Sequence, residues 1–422
     1  MNWIFFLLIV TAYGATVWQQ WRWSTTQAID PSPFHALTQQ CLSATNDAVT
    51  LAIGLIGTLA LFLGLMRIAE QGGLLQILAK LIYPLLKRLF PEIPANHPAF
   101  GAMVLNISAN MIGIGNAATP FGLKAMQELE KLNPHPGVAT NAMVLFLAIN
   151  TSGLTLLPTK IIALRASAGS QDPAGIIVTI LVASLCATII AILAAKCLQK
   201  IFTTPQHTLS LAPQEFASEE FTHYPTWMCA LFMLALISLV PIMLLWGKII
   251  SAWVIPTLIV AILIFGLCKK VDIYSSFTEG AKGGFDIAVK ILPFLVAILF
   301  AIAMFRASGM LDALTHTLGK LTTHWGLPPE AIPMVLMRPL SGSGSLGILS
   351  DILNNPTIGP DSYTGYLVST MMGSTETTFY VIAVYFGAVQ IRRIRHALAA
   401  GLIADLAGVI ASIFAVKMLL FA

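Results

Sequence analysis

Long runs without a single Asp, Glu, Lys or Arg recur along this chain: Trp3–Trp21, Ala48–Met66, Ala174–Ala195, Tyr224–Gly247 and Ile249–Cys268. Roughly 20 mostly apolar residues in a helix cross about 30 Å of hydrocarbon, so each run is long enough to span a bilayer. Ile287–Phe305 adds a run with Lys290 near its start, and His396–Val416 one with Asp405 at its middle. A further span is expected around Val138–Leu164, which brings the expected crossings to about eight. Only 23 basic and 19 acidic residues are available in 422, or 10% charged. Soluble domains carry about 25%, so a soluble enzyme or a nucleic-acid binder is excluded. The net charge of +4 is too small to imply a polyanionic partner. The expected fold class is all-α, a polytopic membrane protein whose main partner is the lipid bilayer.

The longest polar stretch, Thr203–His223, is too short for a separate catalytic domain. The first run has no basic residue ahead of it and ends among Trp18, Trp21 and Trp23, an interfacial aromatic cluster; it is expected to be a retained span rather than a signal peptide. Cys41, Cys186, Cys197, Cys229 and Cys268 form no CxxC pair, and the histidines show no ligand spacing. Neither disulfide, metal nor cofactor is expected. The basic clusters Arg22, Lys196/Lys200, Lys269/Lys270 and Arg392/Arg393/Arg395 are all expected on the cytoplasmic side, which puts the N-terminus in the periplasm.

The chain repeats itself. Asp47 and Arg67 bracket 19 residues, and so do Asp286 and Arg306. Each Arg is followed by glycine (Gly72-Gly73, Gly309) and an amphipathic stretch, Leu74–Phe90 or Met310–Trp325. A Gly-x-Gly element comes next, Gly113-Ile-Gly115 or Gly342-Ser-Gly344, and then a hydroxyl-rich break, Asn150–Gly153 or Gly373–Glu376. Five elements in one order imply two homologous halves, 1–202 and 225–422, joined by the linker 203–224. Duplication with broken helices is a recurring plan in secondary transporters.

Pro98–Leu123 carries Asn106, Asn110, Asn116, Thr119, two glycines of the Gly-x-Gly element and Pro120 inside an otherwise apolar stretch. Lipid cannot satisfy those groups, so two short re-entrant half-helices meeting at the glycines are expected instead of one continuous helix. Pro333–Ile348 reads the same way, with Arg338-Pro339 ahead of Ser341-Gly342-Ser343-Gly344-Ser345. The run Gly342–Gly347 formally matches GxGxxG, but no βαβ unit surrounds it and a nucleotide fold is rejected. Close helix packing by small residues competes there with a polar-path lining.

Polar side chains stranded at membrane depth converge on one another or on a wet cavity. The expected substrate-binding set is therefore Asn106, Asn110, Asn116, Thr119, Asn150 and Thr151 from the first half. Arg338, Ser341, Ser343, Ser345, Ser374, Thr375 and Glu376 complete it from the second. Glu376 could bind solute or carry a proton, or it could simply neutralise Arg338. Asp405 offers the same choice in a more uniform helix. Arg67 and Arg306 close apolar spans, where snorkelling is the plain expectation. Lys124, Glu128, Glu130 and Lys131 alternate in sign as a solvated face would.

Two stretches carry a family resemblance. Asn110–Leu129, NMIGIGNAATPFGLKAMQEL, resembles the signature of the spore maturation protein A family. Met337–Gly347, MRPLSGSGSLG, and Gly373–Gly387, GSTETTFYVIAVYFG, resemble the spore maturation protein B family. The chain thus looks like an A–B fusion. Both families carry the nucleoside-recognition, or Gate, domain, which also occurs in concentrative nucleoside transporters and the ferrous-iron permease. The resemblance implies a bacterial inner-membrane protein with transporter-like hairpins, and names no substrate.

A secondary transporter or permease for a small polar solute, nucleoside-like or anionic, is the leading expectation. A non-transporting scaffold or regulator of envelope or spore-coat maturation is the alternative. An intramembrane hydrolase using Ser343 or Ser345 would need a base in reach, and His316, His324 and His396 all read as near-interface residues, so no catalytic residue is assigned. The sequence leaves room for a homo-oligomer.

Overall fold

The computed structural model describes residues 2–23, 32–94, 97–113, 115–202, 224–311, 313, 319 and 322–420. The linker 203–223, His316 and the side chain of Asn116 lie outside the described residues. The first part of the chain runs through α1 (Asn2–Arg22), α2 (Pro33–Gln71), α3 (Leu74–Leu89), α4 (Pro98–Ile112), α5 (Gly115–Lys131), α6 (Asn141–Ser152), α7 (Thr159–Ser167) and α8 (Ile176–Leu198). The second runs through α9 (Thr226–Cys268), α10 (Ile273–Ala307), α11 (Ile332–Met337), α12 (Gly342–Asn354), α13 (Tyr363–Ser374), α14 (Thr378–Ala388) and α15 (Ala397–Leu420). It is an all-α, polytopic membrane protein. Among the described residues α2, α8 and α15 are long and apolar enough to cross a bilayer on their own.

α15 shows why lipid suits this chain. Leu402, Leu406, Ile410 and Phe414 stand exposed along one side, whereas Ala397, Ala400, Ala404, Gly408 and Ser412 are buried on the other. Small residues let helices approach closely where there is no water to drive them together. α15 uses that side to pack along α8 and α13. α2 packs along α10 in antiparallel fashion: Ala60 meets Gly284, Gly64 meets Phe277, and Ala48 clusters with Leu295. Arg67 and Arg306 do not stand alone at the interface. Arg67 bonds Glu279 at 2.9 Å and Glu70 at 3.1 Å, and Arg306 bonds Asp351 at 2.5 Å.

Three expectations need correction. Val138–Leu164 is no span: α6 stops at Gly153, whose φ of +48° is left-handed, and an extended segment through Pro158 leads to the short α7. A left-handed glycine followed by proline ends a helix whatever the apolar content around it. Conversely, Tyr224–Gly247 and Ile249–Cys268 are not two spans, because α9 runs unbroken through both for 43 residues. The Gly247-Lys248 pair between them provides no helix stop. The basic clusters also do not share one side. Arg22 ends α1, where Gln19 Nε2 donates to Ser308 O at the C-terminal end of α10, while Lys269 and Lys270 directly precede its N-terminal end. The 35 residues of α10 separate the two ends by roughly 50 Å.

Pro98–Leu123 folds as the expected hairpin. α4 ends at Gly113, φ +84°, and α5 packs back along it. The turn is tight: a Cβ on Gly113 would sit 2.3 Å from Leu157 O. Gly113→Ala is expected to destabilise the protein by about 2–3 kcal/mol, combining left-handed strain with a backbone clash. Equilibrium unfolding in detergent measures it; an unchanged midpoint would show that the turn relaxes freely.

Candidate functional site

The two hydroxyl-rich breaks come together at the centre. Glu376 N donates to Thr151 O at 2.7 Å, so the end of α6 touches the segment between α13 and α14. Backbone just after each break is also pinned to an earlier segment: Leu156 N donates to Met111 O at 2.8 Å, and Phe379 N to Pro339 O at 3.0 Å. Gly408 and Gly401 of α15 lie so close to Thr375 and Thr378 that Cβ atoms there would come within 2.6 Å of them. Backbone leaves helical geometry here only where protein surrounds it, as a bilayer requires.

A cavity of about 290 Å³ opens beside this junction. Asn110, Ser343, Arg338, Thr375 and Glu376 line it, together with Lys160. Arg338 is the central charge, only 5% exposed. Its Nη1 donates to Thr377 Oγ1 at 3.2 Å, its Nη2 to Thr375 O, and its Nη2 stands 3.8 Å from Glu376 Oε2. Its Nε is buried and, among the described residues, has no hydrogen-bond partner. The Glu376 side chain is 53% exposed. Behind it, Thr378 Oγ1 donates to the buried Asp405 Oδ2 at 2.7 Å.

The other expected site residues divide into two groups. Asn106, Asn110 and Asn150 form a buried network with Tyr385. Asn110 Nδ2 donates to Asn150 Oδ1 at 3.1 Å, Tyr385 Oη donates to the same oxygen at 3.2 Å, and Asn106 Nδ2 donates to Tyr385 Oη at 3.1 Å and Ala118 O at 2.7 Å. Asn110 alone of these asparagines reaches the cavity wall. Thr151, Ser374 and Ser345 are buried and donate to carbonyls one turn back in their helices, Ala148 O, Met371 O and Ser341 O. Their hydroxyls are spent on the backbone rather than turned to a solute. Ser341 Oγ caps α12, accepting from Gly344 N at 3.0 Å, and lies 3.4 Å from Ser343 Oγ. Thr119 is half-buried on α5, outside the cavity lining.

Tyr385 is the residue that sequence reasoning missed. In an apolar helix it reads as packing, and its ring does stack on Phe146. The signal available was the demand of the buried Asn106 and Asn150 for a partner, since a buried Tyr hydroxyl nearly always finds one. Among the described residues no histidine lines the cavity, and no cluster of three His, Cys, Asp or Glu could hold a metal ion.

The Gate family, described as nucleoside recognition, matches residues 52–201 and 288–392. Spore maturation protein B of Bacillus subtilis is 48% identical over 170 residues, which cover 40% of this chain and 94% of that protein. Spore maturation protein A of the same organism is 43% identical over 157 residues, 37% of this chain and 80% of that protein. The inner membrane protein YjiG of Escherichia coli K12 is 30% identical over 82 residues, 19% of this chain and 54% of that protein. No solved structure matches.

Proposed function

Because the chain belongs to the Gate, or nucleoside-recognition, family, we propose that it is a bacterial inner-membrane transporter for a small polar, nucleoside-like or anionic solute. Its two halves, 1–202 and 225–422, would share one central site. The observation that supports this most is the cavity where the breaks of both halves meet, with a buried guanidinium and a half-exposed carboxylate in its wall. A charged pair at membrane depth costs several kcal/mol and is kept where a wet cavity or ligand uses it. Arg338, in the cavity wall, would set its positive charge against an oxygen of the solute. Asn110, Ser343 and Thr375 offer the neutral hydrogen bonds that fix orientation.

The names of the two Bacillus relatives favour a second reading, a scaffold or regulator of envelope or spore maturation that moves no solute. Uptake into proteoliposomes separates the two. A thermal-shift screen against nucleosides and dicarboxylates first selects solutes that stabilise the purified protein. Uptake of such a solute above protein-free liposomes is expected. Stabilisation by none of them, or no uptake of any that stabilise, would remove transport and leave the scaffold.

A further inference from the structure

A second and larger cavity, of about 630 Å³, lies between α2, α7, α10 and α12. Its wall includes Asp47, Thr50, Ser167, Arg306, Ser350 and Asp351. Three of the helices that line it, α2, α7 and α12, also line the central cavity. On α12, Ser343 and Leu346 line the central cavity, and Ser350 and Asn354 the larger one. On α7 the order is Ile161 and Leu164, then Ser167. Steps of three and four residues keep these on one face of each of the two helices. On α2, Leu59 lines the central cavity and Gly54, Thr50 and Asp47 the larger one, but Leu59 and Gly54 are five residues apart, about 140° around the helix. The two cavities therefore lie end to end along α7 and α12. Between them the lining turns apolar: Leu59 and Leu164 are buried and Leu346 packs into the same apolar cluster.

We propose that the larger cavity is the vestibule through which solute reaches the central site, with Leu59, Leu164 and Leu346 as the constriction between them, and that the vestibule admits neutral or cationic polar solutes in preference to anions. The inference rests on the transport reading and narrows it. Arg306 is paired with Asp351 at 2.5 Å, and among the described residues the carboxylate of Asp47, which accepts from Ser43 Oγ at 3.5 Å, is left as the uncompensated charge of the wall. A cleft lined by one sign of charge concentrates the opposite sign and repels its own. Hydroxyls and amides from Thr50, Ser167, Ser350 and Asn354 suit a solute such as a nucleoside, which is uncharged and rich in hydrogen-bonding groups. Apolar rings of side chains resist wetting, and this one would hold the path closed at rest.

Thiol labelling tests the route without needing a transported solute. Cys41, Cys186, Cys197, Cys229 and Cys268 are first replaced by Ala, and Thr50→Cys, an exposed position of the vestibule wall, or Ser343→Cys is introduced into reconstituted protein. Membrane-impermeant methanethiosulfonates, one bearing trimethylammonium and one sulfonate, are added from each side in turn. Thr50→Cys is expected to react from one side only, with the cationic reagent faster by about tenfold after correction for intrinsic reactivity. Asp47→Asn should shrink that ratio. Ser343→Cys should react slowly from the same side, and Leu346→Ala or, separately, Leu164→Ala should speed it about tenfold by widening a dewetted neck. Thermal unfolding of each variant confirms that it is folded, and the two leucine variants guard against either one failing. Labelling of Ser343→Cys only from the opposite side, equal rates for the two reagents at Thr50→Cys, or rates unmoved in a folded leucine variant would each overturn the proposal. Expected labelling in a protein that transports nothing would instead leave the path standing and remove the transport reading.

Discussion

Arg165→Leu is expected to destabilise the folded protein by about 3 kcal/mol, the largest single-residue effect on stability foreseen here. Arg165 on α7 is fully buried, and its guanidinium ties α7 to the segment between α12 and α13. Nη1 donates to Pro360 O at 2.6 Å, and Nη2 to Asp361 Oδ1 at 3.0 Å, Ser170 Oγ at 3.1 Å and Asp172 O at 3.2 Å. The guanidinium also lies 4.1 Å over the ring of Tyr366. Removing one partner of a buried pair costs about 3–5 kcal/mol, and the low end applies because Asp361, at 34% exposed, is partly solvated. Asp361 also keeps Ser170 and the Gln171 amide as donors at 2.5 and 2.7 Å. Asp361→Asn should accordingly cost less than Arg165→Leu, since Arg165 retains its two carbonyls and the ring. Thermal unfolding of both variants in one detergent checks the order. Equal midpoints for Arg165→Leu and the unchanged protein would show that this contact does not hold α7 to the α12–α13 connection.

Arg338→Gln is expected to weaken solute binding about 30-fold or more, the loss that follows when one partner of a buried, hydrogen-bonded charge pair is truncated by at least 2 kcal/mol. Calorimetric titration with whichever solute stabilises the protein measures it, and unchanged affinity would place the solute elsewhere. Glu376→Gln then separates the roles of its carboxylate. The contact to Arg338 is 3.8 Å long and the Glu376 side chain is half exposed, so as a counter-ion it contributes little to stability. A shift in midpoint near zero is expected, with loss of pH-driven uptake and retained binding. A large drop in midpoint with uptake intact would make Glu376 a structural counter-ion after all.

The sequence by itself determined the solvent and the break points. With one charge in ten residues, most helices of this chain have no stable place except lipid. Three asparagines, glycines and a proline within Pro98–Leu123 made a continuous helix untenable, and the structure folds that stretch as a hairpin. Those are local facts: composition and backbone preference settle them before any contact forms. The break at Asn150–Gly153 is legible as a cluster of hydroxyls and glycine, but the apolar content on either side still suggests a span across it, and only the left-handed φ of Gly153 shows that α6 ends there. Nor could the sequence sort the polar residues into lining and scaffold. A serine at membrane depth satisfies itself equally well on a solute or on the carbonyl one turn back, and Ser343 and Ser345, two residues apart, do different things for that reason. Helical rotation and the approach of α15 decide which side chain meets the cavity. Tyr385 joined the asparagines only once α14 was laid against α5 and α6. Which breaks touch which depends on packing between segments more than two hundred residues apart, and no local preference in the chain encodes that distance.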